Sequence, residues 1–452
     1  MAKNRMDKGS LMFTPRFIRS LVIPLLIETA LNVTIGLLDA VMVSSIGEHA
    51  VSGVSLIDQI SNLIVFLFTA FATGGAVIAS QYLGSKDREK ACLAAKQLIY
   101  ISIAFSLLLS IILLAIRKSF VSFIYGSLEE NVMDAAISYF IPILISYPFL
   151  AVTNSANAIC RSMGKSTITM AVSFVMNVLN LLGNMLFIFV FGLGPAGAGI
   201  SSLISRAVAA VIMLIAVTDK RQIVHISKPL RFEPDFPMMR RILSIALPSG
   251  IENCVFQLGR LLVTSTIASF GTASIAANAV IGSIGTIANI PGNAIGMASV
   301  TVIGQCCGAG RYDQADYYGK YFLKLTYMML GALGIMLMLL TKDLCGLYSL
   351  SEEAMELSVK GTYLLLMNCI LFWPLAFVTP NYLRAAGDVR FTLAVSMGSM
   401  WIFRIVLSFV LGVYLRLGLL GVYYGMFIDW YCRIILFNTR FARGKWKNRK
   451  VI

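Results

Sequence analysis

The sequence predicts an all-α integral membrane protein with twelve transmembrane helices, and three observations support this prediction. Apolar residues make up 58% of the 452-residue chain, charged residues only 13%, and the mean hydropathy is +0.81. A soluble domain carries about 25% charged residues. Apolar segments of about 20 residues, enough to cross a bilayer, recur along the whole chain, and the residues that end them recur in its second half. These figures exclude a disordered protein, a collagen-like fibre and a secreted disulfide scaffold.

The first six spans are separated by short polar sequences. A basic loop, GSKDREK, ends the second span, an acidic one, SLEEN, follows the third, and RSMGKS follows the fourth. Glycine and proline in GLGPAG end the fifth span, as expected of residues that interrupt helices. The predicted spans are 17–46, 52–83, 92–116, 134–160, 167–191 and 196–218.

Six further spans follow a polar, proline-containing segment. They are separated by GTAS, GAGRYD, an acidic loop around SLSEE, the basic loop RAAGDVR and the short turn RLG. The predicted spans are 242–269, 274–305, 319–341, 358–383, 391–414 and 418–438.

The distribution of Lys and Arg predicts the orientation. If the N-terminus is placed on the cytoplasmic side, the outer segments contain few basic residues. The inner loops and the C-terminal tail then contain most of them. Because Lys and Arg collect in cytoplasmic loops, we expect both termini to be cytoplasmic, in a multi-pass protein of the cell (inner or plasma) membrane. The basic N-terminus leads directly into a full-length span, so no removable signal peptide is expected. The outer basic residues are Arg117, Lys118, Lys342, Lys360 and Arg416.

The second half of the chain repeats the first. Pro24 and Glu28 recur at one constant spacing as Pro248 and Glu252. Six helices per half put both halves in one orientation, so we expect two lobes related by a pseudo-twofold axis along the membrane normal. The predicted divisions are an N-terminal lobe, 1–218, a cytoplasmic linker, 219–238, and a C-terminal lobe with a basic tail, 239–452. Parallel repeats of this kind are typical of secondary transporters that work by alternating access.

Three segments carry a family resemblance: IPLLIETALNVTIGLLDAVMVSSIGEHAVSGVSL, GGAVIASQYLGSKDREKA and NVLNLLGNMLFIFVFGLGPAGAGISSL. Together with twelve spans in two copies, they resemble the multidrug and toxic compound extrusion (MATE) family of the MOP flippase superfamily. The resemblance implies a secondary active multidrug efflux antiporter that exports amphipathic, mainly cationic compounds in exchange for H+ or Na+.

The resemblance also implies a coupling site in the N-terminal lobe. Asp39 matches the first-helix aspartate of the prokaryotic branches, Asn180 and Asn184 match a polar pair on the fifth helix, and Ser202 stands where many members have Thr. The proton-coupled branch typically has Asp at the position of Asn184, so the choice between H+ and Na+ stays open. On the tenth helix Trp373 stands where some members carry an acid.

Helical geometry places the polar residues of these spans on two faces. Glu28 and Asp39 are eleven residues apart, close to three full turns, so they share one face of the first helix. Asn177 lies on the polar face of the fifth helix with Asn180 and Asn184. We expect a hydrophilic cavity in which Asp39 carries a proton or binds Na+, because charged groups at bilayer depth usually face a cavity or a partner. The alternatives are that Asp39 only caps or bridges helices and that the asparagines only form interhelical hydrogen bonds.

Further residues are candidates for substrate binding or coupling, with a purely structural role as the alternative. These are Glu28, Asn177, Glu252, Gln257 and Arg260. The arginines predicted inside spans, Arg206, Arg260 and Arg404, either pair with acids or recognise an anionic headgroup. Asp429 and Arg433, four residues apart on the twelfth helix, are expected to form an ion pair.

Other functions are disfavoured. The sequence GKST after Met163 lacks the upstream glycine of a nucleotide-binding loop. Eight cysteines without a CxxC pair and two isolated histidines predict neither a metal site nor an enzyme. We therefore expect no cofactor beyond the coupling ion. The expected partners are small-molecule drugs or toxic compounds and the lipid bilayer, not nucleic acid, and a monomer is expected. The alternative is a flippase or exporter of a lipid-linked or anionic substrate.

Overall fold

The computed structural model describes residues 11–126, 128–227, 232–448 and 451–452. Within these ranges the regular structure is helical and contains no β-strand, which confirms the all-α prediction. In a bilayer core no water can pair with backbone N–H and C=O groups, so each apolar segment forms a helix, which satisfies these groups internally. The predicted basic N-terminus (Lys3, Arg5, Lys8), part of the linker (228–231) and two tail residues (449–450) lie outside the described residues.

Six long helices form the first half. The third helix runs past the predicted end at 116 and stops at Gly126, whose φ of 74° ends the helical conformation. Asp87 caps this helix by accepting a hydrogen bond from the backbone N–H of Lys90 at 3.1 Å. The helices are α1 (Pro15–Ser44), α2 (Glu48–Gly84), α3 (Arg88–Tyr125), α4 (Glu130–Ser162), α5 (Ser166–Asn184), which continues as a π-helical segment (Met185–Val190), and α6 (Gly194–Thr218).

The second half contains more breaks. Its helices are α7 (Phe236–Ala268), α8 (Thr272–Ala288), α9 (Ile290–Gly308), α10 (Tyr312–Leu339), α11 (Thr341–Gly346), α12 (Glu352–Leu371), α13 (Thr379–Ala385), α14 (Val389–Ser399), α15 (Val406–Phe409) and α16 (Gly418–Ala442). Three π-helical segments, Pro374–Val378, Met400–Ile405 and Val410–Tyr414, lie between them, and a 3₁₀ turn, Lys445–Asn448, ends the described helical structure.

The helices of the described ranges match the twelve predicted spans. Eleven spans are long and apolar enough to cross a membrane, and α8 with α9 makes a twelfth when this bent pair counts as one. The predicted eighth span, 274–305, is therefore not straight: α8 and α9 meet at an angle of 45°. Pro291 lies at the start of α9, where its ring and missing N–H interrupt the preceding helix.

The backbone confirms the internal repeat. Residues with positive φ are uncommon outside turns, yet five of those in the first half have counterparts in the second half at a nearly constant spacing. The pairs are Gly47 with Gly271, Lys86 with Gly310, Gly164 with Gly387, Gly192 with Arg416, and Gly194 with Gly418.

The two repeats also share a close helix–helix contact. A Cβ atom at Gly197 would lie 2.9 Å from the backbone of Phe187, and one at Gly421 would lie 2.7 Å from the backbone of Leu411. Such distances exclude a side chain without backbone movement, because packed interiors leave little free space. Glycine at these positions therefore lets the chain entering α6, and likewise α16, approach the preceding helix.

One extra residue distinguishes the second repeat. The stretch from Gly387 to Gly418 is longer by a single residue than the corresponding stretch from Gly164 to Gly194. Between these glycines the first repeat has one π-helical segment and the second has two. A π-turn accommodates an additional residue within a helix and often occurs at functional sites. The additional π-helical segment of the second repeat therefore accounts for the change of spacing.

The chain forms two compact units. The first unit is Ile23–Gly250, and the second combines the residues up to Val22 with Ile251–Ile452. In the second unit the beginning of the chain is attached to α10, because both the backbone N–H and the C=O of Phe13 bond the Tyr318 hydroxyl at 2.8 Å.

The predicted linker is anchored within the first unit. Lys96 on α3 forms a 2.8 Å ion pair with Glu233, and Gln97 donates a hydrogen bond to the backbone carbonyl of the same residue. Val224 is fully buried, and its N–H contacts the sulfur of Met163. These contacts show that the described part of the linker packs on the helices of its own unit.

Candidate functional site

Asp39 on α1 lies at the centre of an amide network in the first unit. Asn184 Nδ2 donates to Asp39 Oδ1 at 2.8 Å. With the Asn180 amide oriented to satisfy its hydrogen bonds, its nitrogen lies 3.0 and 2.9 Å from the two Asp39 oxygens, and its oxygen accepts from Ser202 Oγ at 3.2 Å. The structure therefore brings together the four predicted coupling residues, from α1, α5 and α6.

The polar faces predicted on α1 and α5 contact each other at more than one level. Asn177 Nδ2 donates to Asn32 Oδ1 at 3.0 Å, and Asn184 donates to Asp39. Each of these pairs is 145 residues apart, and the two levels are seven residues apart on both helices, which is about two helical turns. The spacing of the polar residues thus aligns the two helices along a shared polar seam.

The acids inside the spans differ in whether they have an ionic partner among the described residues. Among the described residues, no Lys, Arg or His nitrogen lies within 4.0 Å of the carboxylates of Asp39 or Asp58. By contrast, Glu28, Glu252 and Asp429 each have an arginine within that distance. The hydrogen-bond donors of Asp39 are neutral amides, which leave its negative charge available for a cation.

A second acid, Asp58 on α2, lies within electrostatic range of Asp39. Asp58 accepts a 2.8 Å hydrogen bond from the Tyr139 hydroxyl. Arg206 on α6 donates to Ser146 Oγ at 2.7 Å, and its charge acts on both aspartates. Sequence reasoning missed Tyr139 and Ser146, because single hydroxyl residues on an apolar helix carry no periodic signal of their own.

Glu28 lies in a buried ion-pair network near Pro24. Its side chain is 5% exposed, it accepts from Thr169 Oγ1 at 2.6 Å, and Arg161 Nη1 lies 3.8 Å from its other oxygen. These contacts join α1, α4 and α5. Such contacts are those expected of a structural role, and a role of Glu28 in substrate binding or coupling stays a prediction.

Glu252 occupies the corresponding network of the second unit. Arg384 Nη2 and Ser396 Oγ both lie 2.6 Å from Glu252 Oε1, and Thr392 Oγ1 lies 3.4 Å from Oε2. The arginine and threonine partners of the two glutamates also correspond in the repeat, Arg161 to Arg384 and Thr169 to Thr392. The sequence already contained this signal, because the glutamates and the arginines recur at nearly the same spacing.

The predicted ion pair on the last span is confirmed. Arg433 Nε lies 2.9 Å from Asp429 Oδ1, and Arg404 Nη1 lies 3.9 Å from Oδ2, so Arg404 also pairs with an acid. On α7, Gln257 is half-buried and Arg260 is exposed. Among the described residues no acid lies within 4.0 Å of Arg260.

Comparison with known proteins identifies the family. The MatE family model matches residues 24–186 and 248–410, the two repeats. The chain is 30% identical over 440 residues to the uncharacterized transporter YisQ of Bacillus subtilis, covering 94% of each protein. It is 24% identical over 456 residues to the probable multidrug resistance protein NorM of Thermotoga maritima, covering 100% of this chain and 97% of the relative.

Solved structures confirm the fold. A MOP superfamily transporter from Pyrococcus furiosus, described as having a binding pocket of reverse polarity, aligns with a TM-score of 0.88 at 20% identity, covering 96% of this chain and 97% of its own. An outward-facing multidrug resistance MATE transporter aligns with a TM-score of 0.87 at 21% identity, covering 95% and 94%. Because the family model spans both repeats, this chain belongs to the MatE family of multidrug efflux transporters, multi-pass proteins of the membrane.

Proposed function

We propose that this chain is a secondary active antiporter that exports amphipathic, mainly cationic compounds in exchange for H+ or Na+ by alternating access. The observation that carries the proposal is the Asp39 carboxylate, which is held by the amides of Asn180 and Asn184 but has no cationic partner among the described residues. The names of relatives agree with it: besides NorM, the chain is 22% identical over 380 residues to the multidrug export protein MepA of Staphylococcus aureus.

Asp39 offers one site for which two cations compete. When a proton or Na+ binds, the carboxylate loses its attraction for a cationic substrate, so ion entry favours substrate release. Asn184 Oδ1 is buried without a hydrogen-bond partner in the described structure, and it supplies a neutral oxygen ligand beside the carboxylate. Inward movement of one charge through 100 mV provides about 2.3 kcal/mol to drive the cycle.

We also propose in which membrane the protein lies and on which side its termini are. The basic inner loops predict that both termini are cytoplasmic and that the chain lies in the cell membrane. Export then requires substrate uptake from the side that carries the linker. Labelling of single cysteines introduced at Asp219 and at Glu129 in intact cells tests this, since only Glu129→Cys should react with an impermeant maleimide.

Efflux of ethidium from drug-sensitised cells tests the function directly, with wild type, Asp39→Asn and empty vector compared at equal expression. We expect efflux by wild type alone. Proteoliposomes with an imposed Na+ or pH gradient then identify the coupling ion. Full efflux by Asp39→Asn would contradict the proposed role of the carboxylate, and wild-type efflux that neither gradient stimulates would contradict antiport.

A further inference from the structure

Two arginines of the second unit share a single carboxylate, and a third arginine lies within electrostatic range of one of them. Arg433 and Arg404 lie 2.9 and 3.9 Å from Asp429, and the charge of Arg260 also acts on Arg404. Three positive charges against one negative charge leave two without a counter-charge in this group. Asp429 therefore does not neutralise the cluster, although it orients Arg433.

The cluster is buried and its hydrogen-bonding capacity is not fully used. Asp429 is fully buried, and the side chains of Arg433 and Arg404 are only 4% and 11% exposed. Phe256 lies under both guanidinium groups at 5.4 and 5.6 Å from its ring centre. This contact stabilises the faces of the cations. In its guanidinium plane Arg433 donates to Asp429 Oδ1 and to the backbone carbonyl of Ser396. Arg404 Nε has no acceptor in the described structure.

Unpaired positive charge at bilayer depth is energetically unfavourable. A purely structural cluster would reduce this cost by matching each arginine with an acid, as Glu28 and Glu252 do with Arg161 and Arg384. The excess of arginines over acids around Asp429 instead fits a site whose remaining counter-charge comes from a ligand.

The repeat shows that this polarity is particular to the second unit. At the spacing that relates Pro24 to Pro248, Asp39 corresponds to Val263. Asn180 corresponds to Phe403 at the spacing of Gly164 and Gly387 and to Arg404 at the spacing of Gly194 and Gly418. The acid of the first unit is thus replaced by an apolar residue, and a cation lies at or next to the position of its amide donor. Arg404 lies in the π-helical segment Met400–Ile405, within the stretch where the second repeat contains one extra residue. The local irregularity and the reversed charge therefore occur together.

We propose that Arg404 and Arg433, together with Arg260, bind the carboxylate or phosphate group of an amphipathic substrate. Planar guanidinium groups match these anions with paired hydrogen bonds, and the unused Arg404 Nε is one such donor. This inference rests on the proposed function and extends it: the transporter also accepts substrates with an anionic group, either anions or zwitterions. The exposed Arg260 makes the first contact, and the two buried arginines hold the anion.

Binding of a dansyl-labelled long-chain carboxylate to the detergent-purified full chain tests the proposal, with dansyl fluorescence as the readout. We expect wild type to bind the probe and not its methyl ester. Displacement by an alkyl phosphate and not by the matching alkanol would show that phosphate shares the site, and displacement by a fatty acid alone would restrict the site to carboxylates. Binding of the methyl ester with equal affinity would overturn the anion site.

Variants assign the binding to the cluster. Arg404→Gln should weaken probe binding by roughly tenfold or more, the loss typical of a charge-assisted hydrogen bond, and Asp429→Asn should tighten it by removing the competing carboxylate. Arg416→Gln, an exposed arginine outside the cluster, is the matched control and should bind as wild type. If Arg404→Gln does not fold, probe binding by Arg260→Gln tests the assignment instead. Arg260 is exposed and unpaired among the described residues, so its replacement should leave the fold intact. Unchanged binding by the folded variants would overturn the assignment.

The two proposals fail in different ways. Probe binding needs neither a gradient nor a coupling ion. Ethidium efflux without probe binding would therefore overturn the anion site alone. Probe binding by a protein that never exports ethidium would leave the anion site standing and overturn the cation exporter.

Discussion

Asn184 donates a 2.8 Å hydrogen bond to Asp39 while its own side-chain oxygen, in the described structure, is buried without a partner. One amide thus stabilises the carboxylate and leaves an acceptor beside it. A buried carbonyl oxygen without a donor costs about 1–3 kcal/mol. An ion that binds both Asp39 and this oxygen recovers that cost, which makes Asn184 part of the proposed coupling site.

Replacing Asn184 with Ala should reduce ethidium efflux by about tenfold, because a hydrogen bond to a charged group contributes about 1.5–3 kcal/mol. Some efflux should remain, since the Asn180 amide still contacts Asp39. Initial efflux rates at equal protein level are the measurement. Asn131→Ala, at an exposed position of α4, is the control. Efflux by Asn184→Ala at the wild-type rate would remove Asn184 from the site.

Glu252→Gln should lower stability far more than transport. The change leaves the half-buried Arg384 without its ionic partner, a loss of about 3–5 kcal/mol when a buried pair is broken. The melting temperature in detergent should fall, whereas efflux per folded molecule should stay closer to wild type than that of Asp39→Asn. Glu28→Gln should be milder, because Arg161 lies 3.8 Å from Glu28 whereas Arg384 lies 2.6 Å from Glu252.

The activity of folded Glu252→Gln tests whether Glu252 has only a structural role. If folded Glu252→Gln were as inactive as Asp39→Asn, Glu252 would take part in coupling and not only in joining helices. The exchange variant with Glu252→Arg and Arg384→Glu separates the two roles, because an ion pair survives the exchange and a coupling carboxylate does not.

Gly421→Ala should destabilise the protein by about 1–3 kcal/mol, as expected when a side chain is forced into a filled space. Its Cβ would lie 2.7 Å from the backbone of Leu411. Gly282→Ala, also inside a helix but with no atom within 4 Å of the new Cβ, should instead be neutral or stabilising. The melting temperatures of the two variants, measured by thermal unfolding, compare their stabilities. A Gly421→Ala protein as stable as Gly282→Ala would contradict the close approach of the two backbones.

Tyr318→Phe should release the first residues of the chain from α10. The Tyr318 hydroxyl bonds both the N–H and the C=O of Phe13, so the change should cost roughly 1–3 kcal/mol. Limited proteolysis should cut faster before Pro15. Tyr317→Phe, one residue away and partly exposed, serves as the comparison and should be cut at the wild-type rate. Equal rates in both variants would show that other contacts hold this segment.

Much of the architecture could be predicted because it depends on local properties. Bilayer thickness sets the length of an apolar helix, and the turn glycines mark its ends. Gly194 and Gly418 recur in the two halves because the same left-handed turn favours the same residue in both. The Asp39 face could be predicted for a related reason, since helical periodicity places residues seven or eleven apart on one side.

The partners of the charged residues could not be predicted in the same way. In the described structure Arg206 donates to Ser146, and Asp58 accepts from Tyr139; the binding of an anionic headgroup by Arg206 stays a prediction. These contacts join helices whose rotation and depth are set by packing against several neighbours at once.

The sequence by itself determined the helices, the repeat and the position of Asp39, because each follows from spacing along one chain segment. Only the tertiary structure decided that Glu28 and Glu252 are held by arginines and that Arg404 and Arg433 share a single acid. It also decided that no arginine of the described residues pairs with Asp39. The physical reason is that a buried charge is defined by the groups that replace its water, and here those groups come from helices far apart in the sequence.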